Sequence, residues 1–270
     1  MIKLKTVKQK IAQLFSKNHI DIEEVNILLC EALKVDLSKL FTIENIGLFM
    51  YAKAMFFARQ RVNGKPLNKI FKTSYFYGNK FYINNNVLAP RPETELLVEN
   101  ALKLLNENSN VLDLCTGSGC IAICIKKNKN VAVFASDVSK KALKVAKKNA
   151  KMLNAQISFI HSNLFQSIDN KFDMIVSNPP YISSKDIKNL DYEVKTFDPK
   201  IALDGGDDGL KFYRKIICDC REYLTNNGKI LFEIGFNQAQ QVKQLLEEQN
   251  FKTKVLKDYS NNDRIVIGEL

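Results

Sequence analysis

The 270-residue chain has no tryptophan, and its two histidines, His19 and His161, stand in no acid–base or ligand constellation. Histidine-based metal binding and histidine-activated nucleophiles therefore have no carrier here. Six cysteines (Cys30, Cys115, Cys120, Cys124, Cys218 and Cys220) lie mostly inside apolar runs, and none forms a Cys-x-x-Cys pair. Cys120 and Cys124 share a helix face at i, i+4, but no histidine or second cysteine pair completes a metal set. The expectation is free buried thiols in a reducing cytoplasm, with neither a disulfide framework nor a metal. No apolar run approaches the ~20 residues that span a bilayer. The opening Met1-Ile-Lys-Leu-Lys-Thr6 lacks the apolar core of a signal peptide. A cytoplasmic protein without membrane contact is expected. No internal repeat or low-complexity segment appears.

What is present suits a globular enzyme-sized chain. Hydrophobic residues make up 46% of the sequence, and the length accommodates one large domain plus a small one. Lysine and arginine number 40 against 29 acids, a net charge of +11. Such an excess suits RNA or ribosome contact. It equally suits a lysine-rich surface, and the lysines of 140–151 (Lys140, Lys141, Lys144, Lys147, Lys148, Lys151) read as one solvated helix face.

Periodicity divides the chain. Residues 1–70 are helical in pattern: Val7, Ile11, Leu14 and Phe15 share one face, and Ile22, Val25, Leu28, Leu29 and Ala32 a second, behind a capping-box pattern from Asp21 to Glu24. Ile46, Phe49, Met50, Ala54 and Phe57 form a third, stopped near Gly64 and Pro66. Phe56 and Phe57 are expected in the core. Residues 71–88 read as a β-hairpin linker turning at Gly78-Asn79. From 89 to 270 strands and helices alternate. Seven strands, the last two close in sequence, imply an α/β domain with a mostly parallel, Rossmann-like sheet carrying one antiparallel strand.

Two strand ends carry chemistry. Val111–Leu114 runs into Cys115-Thr116-Gly117-Ser118-Gly119, after which a helix begins at Cys120. Glycines there let a ligand approach the backbone, and the helix start offers unpaired N–H groups. The third glycine of a dinucleotide fingerprint is missing. Asp137 closes the next strand, where an acid can hold ribose hydroxyls or cap the helix near Ser139. Ile157–Ile160 leads into the loop Asn163-Leu164-Phe165. Met174–Val176 then ends in Ser177-Asn178-Pro179-Pro180-Tyr181. The prolines stiffen this turn and remove donors. The Asn178 side-chain oxygen and the Pro179 carbonyl are acceptors matching the two hydrogens of an –NH₂ group, and Tyr181 can stack on a planar group. Taken alone, Asn-Pro-Pro-Tyr also reads as an ordinary turn. Pro90-Arg91-Pro92-Glu93-Thr94-Glu95 serves as a stiff linker with a helix start, or contacts substrate through Arg91. Asp204–Gly209 reads as a loop before the helix from Leu210.

Asp113-Leu-Cys-Thr-Gly-Ser-Gly119 with Asn178-Pro-Pro-Tyr181 resembles the protein glutamine-N methyltransferases. Pro90–Leu97, Pro199–Leu210, Glu233-Ile-Gly235 and Asn262-Asp263-Arg264 follow in the same order, and together they resemble the release factor glutamine methyltransferases (the HemK/PrmC family) over nearly the whole chain. Cys115 departs from that pattern, where glycine is usual, and is commoner in a sister group that methylates a ribosomal protein. The resemblance implies a class I methyltransferase sheet. It implies S-adenosyl-L-methionine, leaving as S-adenosyl-L-homocysteine, on Cys115–Gly119, Asp137, Asn163, Leu164 and Asn178, with no metal. It implies transfer to the glutamine amide of a Gly-Gly-Gln motif in class I peptide-chain release factors, gripped by Asn178, Pro179, Pro180, Tyr181 and Arg91. A monomer acting without nucleic acid is expected, with residues 1–70 recognising the protein substrate. The alternatives are a ribosomal-protein glutamine methyltransferase, a DNA adenine-N6 methyltransferase acting on a flipped base, and a non-catalytic escort of a release factor.

Overall fold

The computed structural model describes residues 1–270, which form two compact units, Met1–Lys72 and Thr73–Leu270. In the first unit, apolar residues at helical spacing bury one stripe of each helix. Strand β1 (Ile2–Lys3) pairs antiparallel with β2 (Asn45–Ile46), a contact that the sequence pattern does not announce. Helix α1 (Leu4–Ser16) buries Leu4, Val7, Ile11 and Phe15; α2 (Glu24–Leu33) buries Val25, Leu28, Leu29 and Ala32. Short α3 (Leu37–Leu40) and α5 (Leu67–Phe71) flank α4 (Leu48–Val62), which buries Ala54 and Ala58.

Four expectations fail here. Ile46, grouped with the third helical face, lies in strand β2, ahead of the first residue of α4. Ile22 is exposed because it precedes the first residue of α2. Phe49 and Phe56 are also exposed: at 100° per residue they lie on the side of α4 opposite its alanine stripe. No capping box forms at the start of α2. The Asp21 carboxylate accepts from the Glu23 N–H at 2.9 Å, but the Glu24 carboxylate is taken by Arg61 in a part-buried pair at 2.5 Å.

The second unit begins with the hairpin β3 (Thr73–Phe76) and β4 (Asn79–Tyr82). Its turn is Tyr77-Gly78, one residue earlier than the sequence suggests. Both residues take the left-handed φ that a two-residue hairpin turn requires, +48° and +70°. Asn79 is thereby released to pair with Phe76 and to donate to the Tyr77 carbonyl at 2.7 Å. The hairpin is bound into this unit: the Tyr77 N–H donates to Glu95, and both backbone groups of Tyr82 bond the side chain of Asn149.

Next come α6 (Pro92–Leu104), β5 (Asn110–Leu114), α7 (Cys120–Asn128), β6 (Ala132–Asp137), α8 (Lys140–Met152), β7 (Ser158–His161) and β8 (Phe172–Ser177). Then α9 (Tyr192–Phe197), α10 (Lys211–Cys220), β9 (Leu224–Glu233), α11 (Ala239–Glu248), β10 (Lys252–Lys257) and β11 (Asp263–Glu269) complete the chain. The seven-stranded sheet has the order β10-β11-β9-β8-β5-β6-β7. Only β11 runs against its neighbours, as the spacing of the last two strands predicts.

Alternation along the strands feeds a core on each face. Val111, Met174, Val176 and Leu231 pack with α6 and α7, while Leu112, Ile175, Ile230 and Phe232 pack with α10 and α11. The chain leaves β5 outward through β6 and β7, then returns to build β8 and β9 on the other side. This reversal is the switch point at which open α/β sheets form a crevice beyond the carboxyl ends of their strands. Register pairs Leu114 with Ser177 on one side and with Ser136 on the other. The Gly-rich turn, Asn178 and Asp137 thus emerge side by side.

Candidate active site

A cleft of about 960 Å³, its open mouth included, lies at that switch point. It is lined by 86–91, Thr94, 114–118, Cys120, Ile121, 136–139, Ala142, 162–164, Asn178, Pro180, Ile201, Ala202 and Phe212. The lining takes in Cys115, Thr116, Gly117, Ser118, Asp137, Asn163, Leu164, Asn178, Pro180 and Arg91 of the residues singled out from the sequence. Pro179, Tyr181 and Gly119 do not line it.

The Gly-rich turn is held from beneath by Asp113. Its Oδ2 accepts from the Thr116 hydroxyl at 2.5 Å and the Ala122 N–H at 3.1 Å, joining the turn to the first residues of α7. Asp113 is buried, which pushes its pKa up to about 7 against those two hydrogen bonds. Cys115 takes a left-handed φ of +65°, and burial pushes its thiol pKa up, so it presents no thiolate. Gly117, at φ +55°, leaves open space where a Cβ would stand. Gly119 instead supports packing, since a Cβ there would lie 3.0 Å from that of Ala146. The buried Asn149 ties the turn down further, donating to the Ser118 carbonyl at 2.9 Å while holding Tyr82.

Asp137 faces the cleft with both oxygens anchored: Oδ1 accepts from the Ser139 N–H at 2.8 Å and Oδ2 from the Gly117 N–H at 2.9 Å. Each keeps a second acceptor direction for a ligand hydroxyl. Burial raises its pKa, against the two backbone donors and His161. Ser139 caps α8 through its own hydroxyl, accepting from Ala142 at 3.1 Å. Beside it the Ser136 hydroxyl is buried without a partner. Two acceptors, an unpartnered hydroxyl and a cradle without a Cβ match the ribose and amino-acid parts of a nucleoside cofactor.

Asn178 follows β8 with its amide fixed at one end. Nδ2 donates to the Thr94 hydroxyl at 3.3 Å, and Oδ1 accepts nothing from the protein. The turn is braced on its far side. Tyr181 is mostly buried, its hydroxyl pKa pushed up to about 12 by that burial, and its carbonyl accepts from Gln238 Nε2 at 2.9 Å. Gln238 Oε1 accepts from the Gly235 N–H at 2.9 Å. Gly205 and Gly209 pass so close that a Cβ on either would collide with the Pro180 or Tyr181 backbone. The Asp204–Gly209 loop is therefore a support for Asn-Pro-Pro-Tyr, and α10 begins at Lys211. Arg91, partly exposed, pairs with Asp198 at 3.2 Å at the cleft wall.

Several contributors are missed from sequence. Thr94 sits in a run that reads as a linker and helix start, yet it is the partner of Asn178. Val87, Ala89, Ile201 and Phe212 supply apolar wall without any local pattern. Asn262-Asp263-Arg264 acts at a distance: Arg264 pairs with Asp258 at 3.2 Å and donates to the Ile234 carbonyl at 3.2 Å, bracing the end of β9. The cysteines are all free; Cys218 is exposed rather than buried.

Residues 92–194 match the family model described as Methyltransferase small domain. A release factor glutamine methyltransferase of Thermodesulfovibrio yellowstonii is 39% identical, with 96% of each chain covered. One from Flavobacterium psychrophilum is 40% identical over 96% of this chain and 94% of its own. Among solved structures, a methyltransferase from Pyrococcus furiosus has a TM-score of 0.58 at 18% identity, covering 78% of this chain and 96% of its own. That last likeness concerns the fold.

Proposed function

The chain belongs to the release factor glutamine methyltransferase family, and on that premise we propose that Asn178 and Pro179 hold the target amide while Gly117 and Asp137 hold the methyl donor. The enzyme methylates the side-chain amide nitrogen of a release factor glutamine. The proposed target is the glutamine of a Gly-Gly-Gln motif in class I release factors. The observation that carries the site assignment is the register pairing of Leu114 with Ser177, which brings the Gly-rich turn and Asn178 to one cleft.

When bound, S-adenosyl-L-methionine supplies an electrophilic methyl group on a sulfonium. Asp137 would accept from the ribose hydroxyls, the Gly117 region would admit the amino-acid part, and the Asn163-Leu164 loop would border the adenine. An amide nitrogen is a poor nucleophile because its lone pair is delocalised. Asn178 Oδ1 and the Pro179 carbonyl, accepting from its two N–H bonds, shift electron density onto nitrogen and stabilise the positive charge that grows during transfer. A single preorganised group of this kind typically contributes ~3 kcal/mol. Prolines on both sides keep competing N–H donors out of the turn. The reaction needs no general base on the chain, since the nitrogen becomes acidic as the methyl arrives. Arg91 is assigned to the substrate side of the cleft, with Tyr181 and Pro180 shaping the grip.

Residues 1–70 are proposed to recognise the intact protein substrate, with 89–270 doing the chemistry and the hairpin segment 71–88, which packs into that same unit from Thr73 onward, supplying Asn86, Val87 and Leu88 to the cleft wall. Exposed Phe41, Leu48, Phe49 and Phe56 on the first unit support this reading. Binding distant parts of the partner offsets the entropy of ordering an extended target loop. The proposed enzyme works as a monomer in the cytoplasm. The test is incubation with methyl-labelled cofactor and, separately, a class I release factor, ribosomal protein and DNA. Label should appear on the release factor, on the glutamine of Gly-Gly-Gln; label on either other substrate in its place would overturn the assignment.

A further inference from the structure

Behind Asn178 lies a buried carboxyl for which the methyl-transfer scheme has no use. Glu233 ends β9, is 2% exposed, and its Oε2 has no hydrogen-bond partner. Its backbone carbonyl accepts from the buried Tyr213 hydroxyl at 2.8 Å, so the residue is fixed in place. Thr94 and Asn178 act on the carboxyl as hydrogen-bond donors, and Arg264 on β11 and Glu93 on α6 act on it through their charge. Tyr181 on the motif turn and Tyr213 on α10 are the other titratable groups that feel its charge. Thr94 is itself 3% exposed. Its oxygen already accepts from Asn178 Nδ2 at 3.3 Å, leaving its single proton to be given elsewhere.

We propose that Glu233 is a positioning residue which, through the Thr94 hydroxyl, decides which end of the Asn178 amide faces the cleft. This rests on the assignment of Asn178 Oδ1 as the acceptor for the target amide. An ionised Glu233 only accepts. It draws the Thr94 proton to itself, so the Thr94 oxygen is an acceptor toward Asn178 and the Asn178 N–H end is held inward. Oδ1 then points to the substrate. A protonated Glu233 can donate to Thr94. The Thr94 proton is then free to turn toward Asn178, which stabilises the flipped amide with Oδ1 inward and its –NH₂ facing the substrate –NH₂. That orientation sets donors against donors. Hydrogen bonds in such a chain also polarise one another, so an ionised Glu233 strengthens Oδ1 as an acceptor.

Protonation of Glu233 falls in an accessible range. Burial pushes its pKa up to about 7, with Thr94, Arg264 and Asn178 opposing and Glu93 adding to the rise. The active form is the ionised one, so the transfer rate should climb with pH through about 7 and level off above it. The amide substrate does not titrate there. Asp113 does, with a pKa also near 7, so wild-type data alone do not separate the two.

The experiment is single-turnover methylation of a release factor between pH 5.5 and 8.5, with cofactor affinity measured by calorimetry on each variant. Wild type should lose about tenfold in rate per pH unit below about 7. Glu233→Gln, which both donates and accepts, should be about tenfold slower at pH 8 and lack the inflection, with cofactor affinity within about threefold of wild type. Thr94→Val should give the same flat, slow profile, and Thr94→Ser, which restores the hydroxyl, should bring the inflection back. If Glu233→Gln does not fold, the Thr94 pair decides. A wild-type rate and inflection in Glu233→Gln or Thr94→Val would overturn the proposal and leave the inflection to Asp113. Asn178→Ala, run alongside, separates the layers: if it alone is inactive, only the Glu233 relay fails; if it retains wild-type turnover, the assignment of Asn178 fails first.

Discussion

Replacing Gly209 by alanine should damage the grip on the substrate without touching the cofactor wall. Gly209 sits at φ +78°, and a Cβ there would overlap the Tyr181 carbonyl oxygen and lie 2.7 Å from Gln238 Nε2. Both atoms belong to the brace: Gln238 Nε2 donates to the Tyr181 carbonyl at 2.9 Å and to the Gly209 carbonyl at 3.4 Å. The neighbour that must yield is backbone, so the motif turn has to move. Left-handed strain of about 1 kcal/mol adds to one or two broken hydrogen bonds at about 1 kcal/mol each. The expected loss of stability is about 2–4 kcal/mol, read as a lower urea midpoint at unchanged slope. A displacement of about 1 Å at Asn178 and Pro179 should slow methyl transfer on the order of 100-fold. Cofactor affinity should hold, because Gly209 does not line the cleft. Gly117→Ala is the contrast. Beyond its two chain neighbours no protein atom lies within 4 Å of its Cβ position, which sits at the cleft wall with φ +55°. Its stability loss should be about 1 kcal/mol, while cofactor affinity measured by calorimetry falls at least tenfold. Wild-type stability and turnover in Gly209→Ala would refute the argument that this glycine holds the motif turn.

Three further outcomes follow from the same geometry. Asp137→Ala should weaken cofactor binding by about 1–3 kcal/mol through stranded ribose hydroxyls and loss of the Gly117 and Ser139 anchors; unchanged affinity in the folded variant would reject that role. Asn149→Leu strands the Tyr82 and Ser118 backbone groups in the core and should cost about 2–5 kcal/mol, measured by urea unfolding. The free enzyme should lose stability as pH rises from about 4 to about 7 and then level off. Asp113 and Glu233, with folded pKa values near 7, keep protons across that window that the unfolded chain has released. Urea unfolding at pH 5 and pH 8 checks the sign, and Glu233→Gln should flatten the slope.

The sheet was legible because its strands are continuous apolar runs bounded by turn residues, and a parallel sheet buried on both faces demands such runs. Its order was not. Nothing local in Leu114 or Ser177 records that they are register partners across 63 positions, and that pairing is what assembles the cleft. The hairpin slipped by one residue because Tyr77 accepts a left-handed φ that its side chain does not advertise. Helix periodicity placed Phe49 and Phe56 in a core because a 15-residue apolar helix offers more than one stripe, and small Ala54 and Ala58 won the buried side. At the site, the Gly-rich turn and Asp137 read correctly as neighbours, since adjacent parallel strands end together. Thr94 was hidden, as its partner lies 84 residues away. For Tyr181 the sequence shows a ring able to stack on a planar group; it does not show that the backbone carbonyl is held by Gln238.

The claim on which the rest depends is that Asn178 orients the acceptor nitrogen rather than the cofactor. Single-turnover transfer of labelled methyl to a release factor, compared between wild type and Asn178→Ala at saturating cofactor, tests it directly. The account predicts a loss on the order of 100-fold or more in the transfer step, with cofactor affinity changed only a few-fold by calorimetry. A transfer rate within a few-fold of wild type in the folded variant would contradict it.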